Sequence, residues 1–406
     1  MTSSPLPPDT VLLHVGPYKT GTTALQGAFH TGRERLEELG VHYAGAGRQP
    51  MLAALAMTGR PGRRGDPAAS KRHWQDLVDD VRAAGRKRVV VSSEFFSDAS
   101  PEAAAAVVEG LGGARVHVVV TLRQLGKVMP SQWQQYVQNG LRMRYADWLD
   151  HMFNQPPYDK PTPTFWNRHD QADQVAKWAA VVGPANLTVI VLDEADRGML
   201  LRTFEGLLDL PAGTLVPDNV SNRSLTLGEV EVIRLLNEEF KRRKWGDELY
   251  GRFVRTGIAK KMLTQRRPEP GEPAITTPKW AQERAAERGA QAAKAIAASG
   301  VNVVGDLATL GTIVRSDSDE DEPPLDPPLP ASAAAIALIG TILAGRKVEW
   351  PAKKTGAAPA KAPVMKAVVD LEDETLSSID TATLAKLLLS RVRRRVGIKT
   401  KARLRR

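Results

Sequence analysis

A segment that carries one lysine, two glycines and three threonines follows the first apolar run of the chain. The apolar run is Val11–Val15, and the segment reads Gly16-Pro17-Tyr18-Lys19-Thr20-Gly21-Thr22-Thr23. The residues from Thr22 to about Thr31 have the pattern of a helix. The unpaired N–H groups and the dipole at a helix N-terminus attract negative charge. This order of strand, turn and helix therefore predicts a phosphate-binding loop.

The segment departs from the nucleotide-binding pattern G-x-x-x-x-G-K-[ST] at its lysine. Gly16 and Gly21 have the spacing of that pattern and Thr23 supplies its hydroxyl, but Thr22 stands at the lysine position. The lysine comes three residues earlier, at Lys19. A Mg-ATP-dependent kinase or NTPase is thus the alternative rather than the favoured interpretation, and a plain turn that begins a helix is a further one.

An arginine and a serine form a second candidate site for an anion. The apolar run Val116–Leu122 ends at Arg123, and Ser131 follows eight residues later. The planar guanidinium of arginine can donate two hydrogen bonds to one phosphate. The pattern predicts a helix from about Pro130 to Asn139, with Ser131 among the unpaired N–H groups of its first turn. Taken singly, the two residues could instead be a surface arginine and an N-cap serine.

A carboxylate follows a third apolar run, Val89–Ser92, in the dipeptide Ser93-Glu94. Ligands of parallel sheets bind outside the carboxyl ends of the strands, so Glu94 is expected on the same edge as Lys19 and Arg123. Transfer of a group to a hydroxyl needs a proton acceptor near the attacking oxygen. We hypothesise that Glu94 is this general base, with a structural role as the alternative.

These segments together resemble the sulfotransferase family. The loop is similar to the family's 5′-phosphosulfate loop, P-K-[ST]-G-T-T, with Tyr18 inserted between the proline and the lysine. The arginine and serine eight residues apart resemble the family's 3′-phosphate motif, although Leu125 stands where that motif usually has proline. The resemblance covers roughly Val11 to Thr226. It favours the bacterial and glycan-modifying branch, which has a glutamate after the strand equivalent to Val89–Ser92.

The resemblance implies the transfer of a sulfuryl group from 3′-phosphoadenosine 5′-phosphosulfate (PAPS) to a hydroxyl or an amine. Lys19 would contact the bridging oxygen of the leaving phosphate and act as a catalytic residue beside Glu94. Because a sulfuryl group carries less charge than a phosphoryl group, we expect direct in-line transfer without a metal ion. The residues implied to hold the 5′-phosphate are Thr20, Gly21, Thr22 and Thr23.

Four further residues are implied to complete the cofactor site. Arg123 and Ser131 would bind the 3′-phosphate. Asn222 and Arg223 precede a helical pattern and would close over the cofactor, with an ordinary capped turn as an equal alternative.

Alternating strand and helix patterns, with a further strand at Leu187–Leu192, predict an α/β class. We expect a P-loop-like three-layer fold in which helices flank a central, mostly parallel sheet, followed by a helical C-terminal appendage. The expected catalytic domain spans residues 1–310. An acidic, proline-rich linker follows at residues 311–330, and the appendage with its basic tail takes residues 331–406.

The net charge of +10 is concentrated at one end of the chain, since nine Lys or Arg and no acid lie in Arg391–Arg406. The nearly neutral body argues against a body that binds nucleic acid. The tail suits a membrane surface or an acidic partner, or is a solvated terminus. A non-catalytic binding protein, with the linker and tail as working parts, is the other alternative. With no cysteine and no signal-peptide pattern in MTSSPLPPDT, we expect a cytoplasmic protein.

The acceptor is expected to be a small molecule or a glycan. The segments Trp133–Tyr136 and Phe165–His169, together with Asn139, mix aromatic rings with amide and cationic donors, which suits a sugar. The alternative is that Trp133 and Tyr136, three residues apart on one helix, pack in the core. His169 lacks the context of a strand end and is not expected to be catalytic.

Overall fold

The computed structural model describes residues 4–59, 67–217, 223–314 and 327–346. Within them the chain forms an α/β fold with a central six-stranded sheet. The strands are β1 (Val11–Val15), β2 (Val41–Tyr43), β3 (Arg88–Ser92), β4 (Val116–Leu122), β5 (Leu187–Val191) and β6 (Asn302–Val304).

Every neighbouring pair of strands is parallel, in the order β2-β3-β1-β4-β5-β6. The four central strands are rich in Val, Leu and Ile, as expected for strands that helices cover on both sides. Because β3, β1 and β4 are adjacent, the residues that follow them meet at one edge of the sheet. The registers Leu13↔Val91 and Leu13↔Val118 align these three ends.

Helices lie between and after the strands, and several of them cover the two faces of the sheet. They are α1 (Thr22–Thr31), α2 (Arg33–Glu38), α3 (Met51–Met57), α4 (Pro67–Ala83), α5 (Pro101–Leu111), α6 (Leu125–Gln138), α7 (Tyr145–Asn154), α8 (Phe165–His169), α9 (Gln171–Val182), α10 (Met199–Leu208), α11 (Leu227–Arg242), α12 (Asp247–Leu249), α13 (Lys260–Gln265), α14 (Lys279–Ala298) and α15 (Ala331–Arg346). Short 3-10 helices lie at Glu94–Asp98, Gly113–Arg115, Pro184–Asn186 and Leu307–Gly311, and a π-helix at Tyr250–Ala259.

Side chains alternate between the two faces of the sheet, and each face has its own core. Leu12 faces a cluster with Phe29 of α1 and Phe204 of α10. Leu13 faces the opposite cluster, which includes residues of α4, α5, α9 and α14 such as Trp178. The alternation of period two along β1 thus assigns neighbouring residues to separate cores. The expectation of a central sheet between two helical layers is confirmed.

The chain divides into two compact units. Of the described residues, those up to 242 and from 271 to 327 belong to the first unit, and those from 243 to 270 and from 328 to 346 belong to the second. In the second unit α15 packs on the π-helix, where a Cβ added at Gly340 would lie 2.7 Å from the carbonyl oxygen of Gly257. The functional boundary at residue 310 stays a prediction. The basic tail and most of the acidic linker lie outside the described residues.

Several expected elements have their expected bounds, two strands differ from them by one residue, and one helix was misplaced. The bounds of β1, β4 and α1 are those that the sequence predicts. The helix expected from Pro130 was placed wrongly, because α6 begins at Leu125 and contains Pro130 in its interior. A proline inside a helix leaves one carbonyl oxygen without its N–H donor. Pro130 therefore lowers the stability of α6 but does not end the helix. Ser131 consequently lies in the second turn, away from the unpaired N–H groups.

Candidate functional site

The loop between β1 and α1 is compact and requires glycine at its first position. A Cβ on Gly16 would lie 2.7 Å from Thr22 Oγ1 and 2.8 Å from His14 Nε2. Lys19 and Gly21 both have left-handed backbones, with φ of 70° and 81°. Gly21 is the N-cap residue of α1, and because it has no side chain it cannot accept a hydrogen bond from the N–H groups of the first turn. The loop therefore closes tightly over the end of β1 and leaves its N–H groups at the helix start.

Unsatisfied donors gather at this helix start. In the described parts of the chain, no acceptor is found for the main-chain N–H groups of Lys19 to Thr23. The hydroxyl of Thr22 is buried and likewise has no partner there. Buried polar groups are normally hydrogen-bonded, so this set of donors fits a bound anion. Thr23 is exposed beside it.

The hydroxyl of Thr20 has a different role from that of Thr22. Thr20 Oγ1 donates to the carbonyl oxygen of Pro17 at 2.7 Å and lies 2.8 Å from Thr121 Oγ1 on β4. Beneath the loop, His14 bridges Ser92 Oγ at 2.8 Å and Thr121 Oγ1 at 3.2 Å. Burial lowers the pKa of His14 to about 3, so this imidazole is neutral. These contacts hold the loop to its neighbouring strands and leave only the main-chain N–H of Thr20 for a ligand.

The Lys19 ammonium is half-buried between α6 and the strand end that carries Glu94. Lys19 Nζ donates to Gln135 Oε1 at 3.3 Å. Burial lowers the pKa of Lys19, and the nearby Glu94 carboxylate acts in the opposite direction. An ammonium with one weak hydrogen bond retains donors for a ligand anion.

Glu94 begins the 3-10 helix Glu94–Asp98 directly after β3, where Ser93 is the cap. Its Oε2 accepts a hydrogen bond from Gln26 of α1 at 3.2 Å, and its Oε1 accepts one from Gln49 at 3.1 Å. Two amide donors thus orient the carboxylate without neutralising its charge. The structure brings Glu94 and Lys19 to the same sheet edge.

Arg123 contacts the loop directly and also has a carboxylate partner that the sequence did not reveal. Its Nη1 donates to the carbonyl oxygen of Lys19 at 3.2 Å. Its Nε and Nη2 donate to Glu194 at 2.5 Å and 2.9 Å. The side chains of Arg123 and Glu194 are 26% and 43% exposed. The guanidinium lies at the expected strand end, and Glu194 occupies the two N–H donors that would bind a phosphate.

The remaining expected cofactor contacts are less favourably placed. Ser131 lies within α6, as described above. Arg223 donates two hydrogen bonds of 2.8 Å to the buried carboxylate of Glu229 near the start of α11, which favours the capped-turn alternative. Asn222 lies outside the described residues.

A buried ion pair beside the loop was not anticipated from the sequence. Arg168 of α8 donates from Nε and Nη2 to Asp98 at 2.6 Å and 2.9 Å, and their side chains are 8% and 1% exposed. The guanidinium also stacks over the ring of Tyr18, with its carbon 4.1 Å from the ring centre. Tyr18 in turn meets the edge of Phe95 at 5.6 Å. The inserted tyrosine of the loop is therefore held by the segment that begins at Glu94.

His169 lies close to this pair. It is fully buried, and its Nε2 has no hydrogen-bond partner among the described residues. Burial, and then the charges of Arg168 and Lys19, lower its pKa to about 3. The imidazole is thus neutral and is positioned near Lys19, which its sequence context did not suggest.

Two of the residues that suggested a sugar acceptor have hydrogen-bond partners inside the protein. Trp133 is fully buried and donates from Nε1 to the carbonyl oxygen of Met143 at 3.1 Å. Gln134 Oε1 accepts from the main-chain N–H of Leu225 at 3.1 Å. For Trp133, the structure supports the core-packing alternative.

Searches for a metal site and for a membrane span gave negative results in the parts of the chain that the structure describes. No group of three or more His, Cys, Asp or Glu side chains there could hold a metal ion. No helix there is both long and apolar enough to cross a membrane.

Comparisons with known proteins gave one structural similarity. No family model matches the chain, and neither does any curated protein sequence. A solved structure described as the crystal structure of a sulfotransferase from Alicyclobacillus acidocaldarius is 16% identical, with a TM-score of 0.37. The alignment covers 60% of this chain and 99% of that chain. A likeness this distant concerns the fold at most, so the functional inference rests on this chain's own residues.

Proposed function

We propose that the protein is a sulfotransferase that uses PAPS as the donor and a hydroxyl or amine as the acceptor. The observation that supports this most is the unsatisfied anion site at the start of α1, with Lys19 on one side and Glu94 beyond it. Arg123, whose guanidinium donates to the carbonyl oxygen of Lys19, supplies a second cation beside the same loop. A donor with two separate phosphate groups fits two such sites better than a single anion does.

The residues present fit this donor at named atoms. The N–H groups of Thr20 to Thr23 and the Thr22 hydroxyl would hold the 5′-phosphate, and Lys19 its bridging oxygen. Arg123 would hold the 3′-phosphate in place of Glu194. We retain Ser131, Asn222 and Arg223 as proposed contacts of lesser support, for the reasons of placement given above.

Transfer of a sulfuryl group requires mainly that the protein position the donor and the acceptor and stabilise the charge that develops. Bound PAPS would supply the sulfuryl group, and the electron pair of the broken sulfur–oxygen bond would leave with adenosine 3′,5′-bisphosphate. Glu94 would accept the acceptor's proton. Lys19 and the loop N–H groups stabilise the charge that develops on the leaving phosphate oxygen. Glu94 is held by Gln26 and Gln49 in a fixed orientation, which suits a general base.

A thermal unfolding experiment separates this proposal from the Mg-ATP alternative. Adenosine 3′,5′-bisphosphate should raise the Tm in the presence of EDTA, because a ligand of the native state stabilises it by mass action. ATP with Mg²⁺ should have little effect, since Thr22 replaces the usual lysine. A larger shift with Mg-ATP would overturn the proposal.

Two variants extend this test to catalysis, with sulfate transfer from radiolabelled PAPS to a mixture of candidate acceptors as the assay. Lys19→Ala and Glu94→Gln should each lower the rate by about 100-fold or more, as removal of a transition-state donor does. Glu94→Gln should leave the Tm shift with the bisphosphate intact. Unchanged rates in both variants would favour the non-catalytic alternative.

A further inference from the structure

A groove of about 680 Å³ is lined by residues of α3 and α4 and by Gln49, whose amide contacts Glu94. Its apolar lining includes Pro50, Leu52 and Leu77. Cavities of this size hold small organic ligands. None of the expected site residues lies in this groove, and no pattern in the sequence indicated it.

Gln49 connects the groove to the proposed base. It lines the groove, donates from Nε2 to Glu94 Oε1 at 3.1 Å, and accepts from Ser93 Oγ at 2.8 Å. The other oxygen of Glu94 binds Gln26 of α1, the helix that begins at the loop. Glu94 therefore contacts a residue of the helix that begins at the anion site and a residue that lines the groove. This is where a base between donor and acceptor must be.

The charges of the groove select against an anionic ligand. Asp76 and Asp80 both line it, and Asp80 is fixed there by the main-chain N–H of Gly45 at 2.7 Å and by His42 at 3.1 Å. The single guanidinium in the lining, that of Arg33, donates to the carbonyl oxygens of Tyr43 and Gly47. The lining carries two carboxylates against one guanidinium, besides the imidazoles of His42 and His73, and main-chain oxygens already occupy the Nη1 and Nη2 donors of that guanidinium. The groove therefore disfavours a carboxylate or phosphate of a ligand.

The apolar part of the lining argues against a sugar. A sugar ring loses water from most of its hydroxyls when it binds and needs hydrogen bonds in return. The apolar residues of this groove are aliphatic, with no Trp, Tyr or Phe among the described residues that line it. An aliphatic lining of this kind instead stabilises an apolar ligand, by about 25 cal/mol for each Å² buried.

We propose that this groove binds the acceptor, and that the acceptor is an apolar alcohol or amine that is uncharged or cationic. Its hydroxyl or amine would reach Glu94 past Gln49, and its apolar body would lie on Pro50, Leu52 and Leu77. The identification of the ligand as an acceptor rests on the proposed function. The existence and the selectivity of the site do not.

The test uses Leu52→Lys, because Leu52 is 46% exposed and its replacement leaves the core intact. Leu235→Lys is the matched control, since Leu235 is 52% exposed on α11. The probes are 2-naphthol, decylamine, 2-naphthoate and N-acetylglucosamine. Binding is measured by calorimetry with adenosine 3′,5′-bisphosphate present and absent. Transfer of radiolabelled sulfate to the same probes is measured in parallel.

We expect 2-naphthol and decylamine to bind the wild type and Leu235→Lys, and to lose about tenfold or more in affinity in Leu52→Lys. The anionic 2-naphthoate and the sugar should bind weakly or not at all. Preferred binding of N-acetylglucosamine or 2-naphthoate, or equal affinities in all three proteins, would overturn the proposal. So would a change in oligomeric state in Leu52→Lys without a change in affinity, which would identify the groove as an interface between copies.

Failure of the site and failure of the proposed function give different results. Selective binding that Leu52→Lys abolishes, without transfer of sulfate, would support the site and contradict the sulfotransferase. Transfer of sulfate with the same KM in Leu52→Lys would support the sulfotransferase and place the acceptor elsewhere.

Discussion

Two arginine–carboxylate pairs contact the loop between β1 and α1, and they differ in burial. Arg168–Asp98 is almost completely buried and contacts the loop through the ring of Tyr18. Arg123–Glu194 is partly exposed and contacts the carbonyl oxygen of Lys19. Separating a buried pair leaves a charge without compensation, whereas water can replace a partner at the surface. The first pair is thus suited to fix the loop. The second is suited to change partners, as the proposed binding of a phosphate by Arg123 would require.

The largest expected effect is on stability, when each carboxylate is removed in turn. Asp98→Ala leaves the Arg168 charge buried, so it should lower the free energy of unfolding by about 3–5 kcal/mol. Glu194→Ala should lower it by less than about 1 kcal/mol. Urea denaturation at pH 7 measures both values. Equal losses would mean that the two pairs do not differ as their exposure indicates.

A smaller effect is expected from the aromatic contact between the buried pair and the loop. Tyr18→Leu removes the face on which Arg168 stacks, a contact worth up to about 2 kcal/mol when it is desolvated. Because Tyr18 precedes Lys19, we expect kcat to fall by about 10-fold with KM for PAPS changed less. Tyr18→Phe retains the ring and should restore kcat. A variant Tyr18→Phe as impaired as Tyr18→Leu would show that the ring face is not what matters.

The exposed pair should affect affinity for the nucleotide by a lesser amount. Glu194→Gln removes the carboxylate that competes for Arg123, so adenosine 3′,5′-bisphosphate should bind up to about tenfold more tightly, or about 1.4 kcal/mol. Adenosine 5′-phosphate lacks the 3′-phosphate and should bind equally to both proteins. Isothermal calorimetry gives both constants. Tighter binding of both nucleotides would place the effect outside the Arg123 site.

The smallest effect is a dependence of stability on pH. The hydrogen bonds from Arg123 hold the pKa of Glu194 below its ordinary value of about 4.3. Its contribution is therefore complete above the unfolded pKa and disappears as pH falls through the lower folded value. The difference in Tm between wild type and Glu194→Gln should shrink when the pH is lowered from 6 to 3. A constant difference would show that the pair does not contribute through its charge.

The sequence predicted the central part of the fold because its strands are apolar runs of five to seven residues. The edge strands β2 and β6 have only three residues each, too few to establish a pattern. Pro130 was taken as a helix start, although α6 contains it in its interior. Local patterns thus identify helices of several turns and strands of five or more residues, and they miss strands of only three residues.

The candidate site was predictable where its residues follow strand ends, as Lys19, Arg123 and Glu94 do. Arg168 and Asp98 are 70 positions apart, and Arg123 and Glu194 are 71 apart. Ion pairs of this kind arise from tertiary packing and have no signature in the order of residues. Gln49 escaped notice for the same reason, since only folding brings its amide to Glu94.

The left-handed backbone of Lys19 has a consequence for how the loop can vary. A residue with a Cβ is about 1 kcal/mol or more less favourable in this conformation than glycine is. Glycine at this position would relax the turn and raise its thermal resistance, yet it would remove the only ammonium that the loop contains. The chain thus retains a residue that its backbone geometry disfavours, and a search for thermostable variants should repeatedly yield inactive proteins with substitutions at this one position.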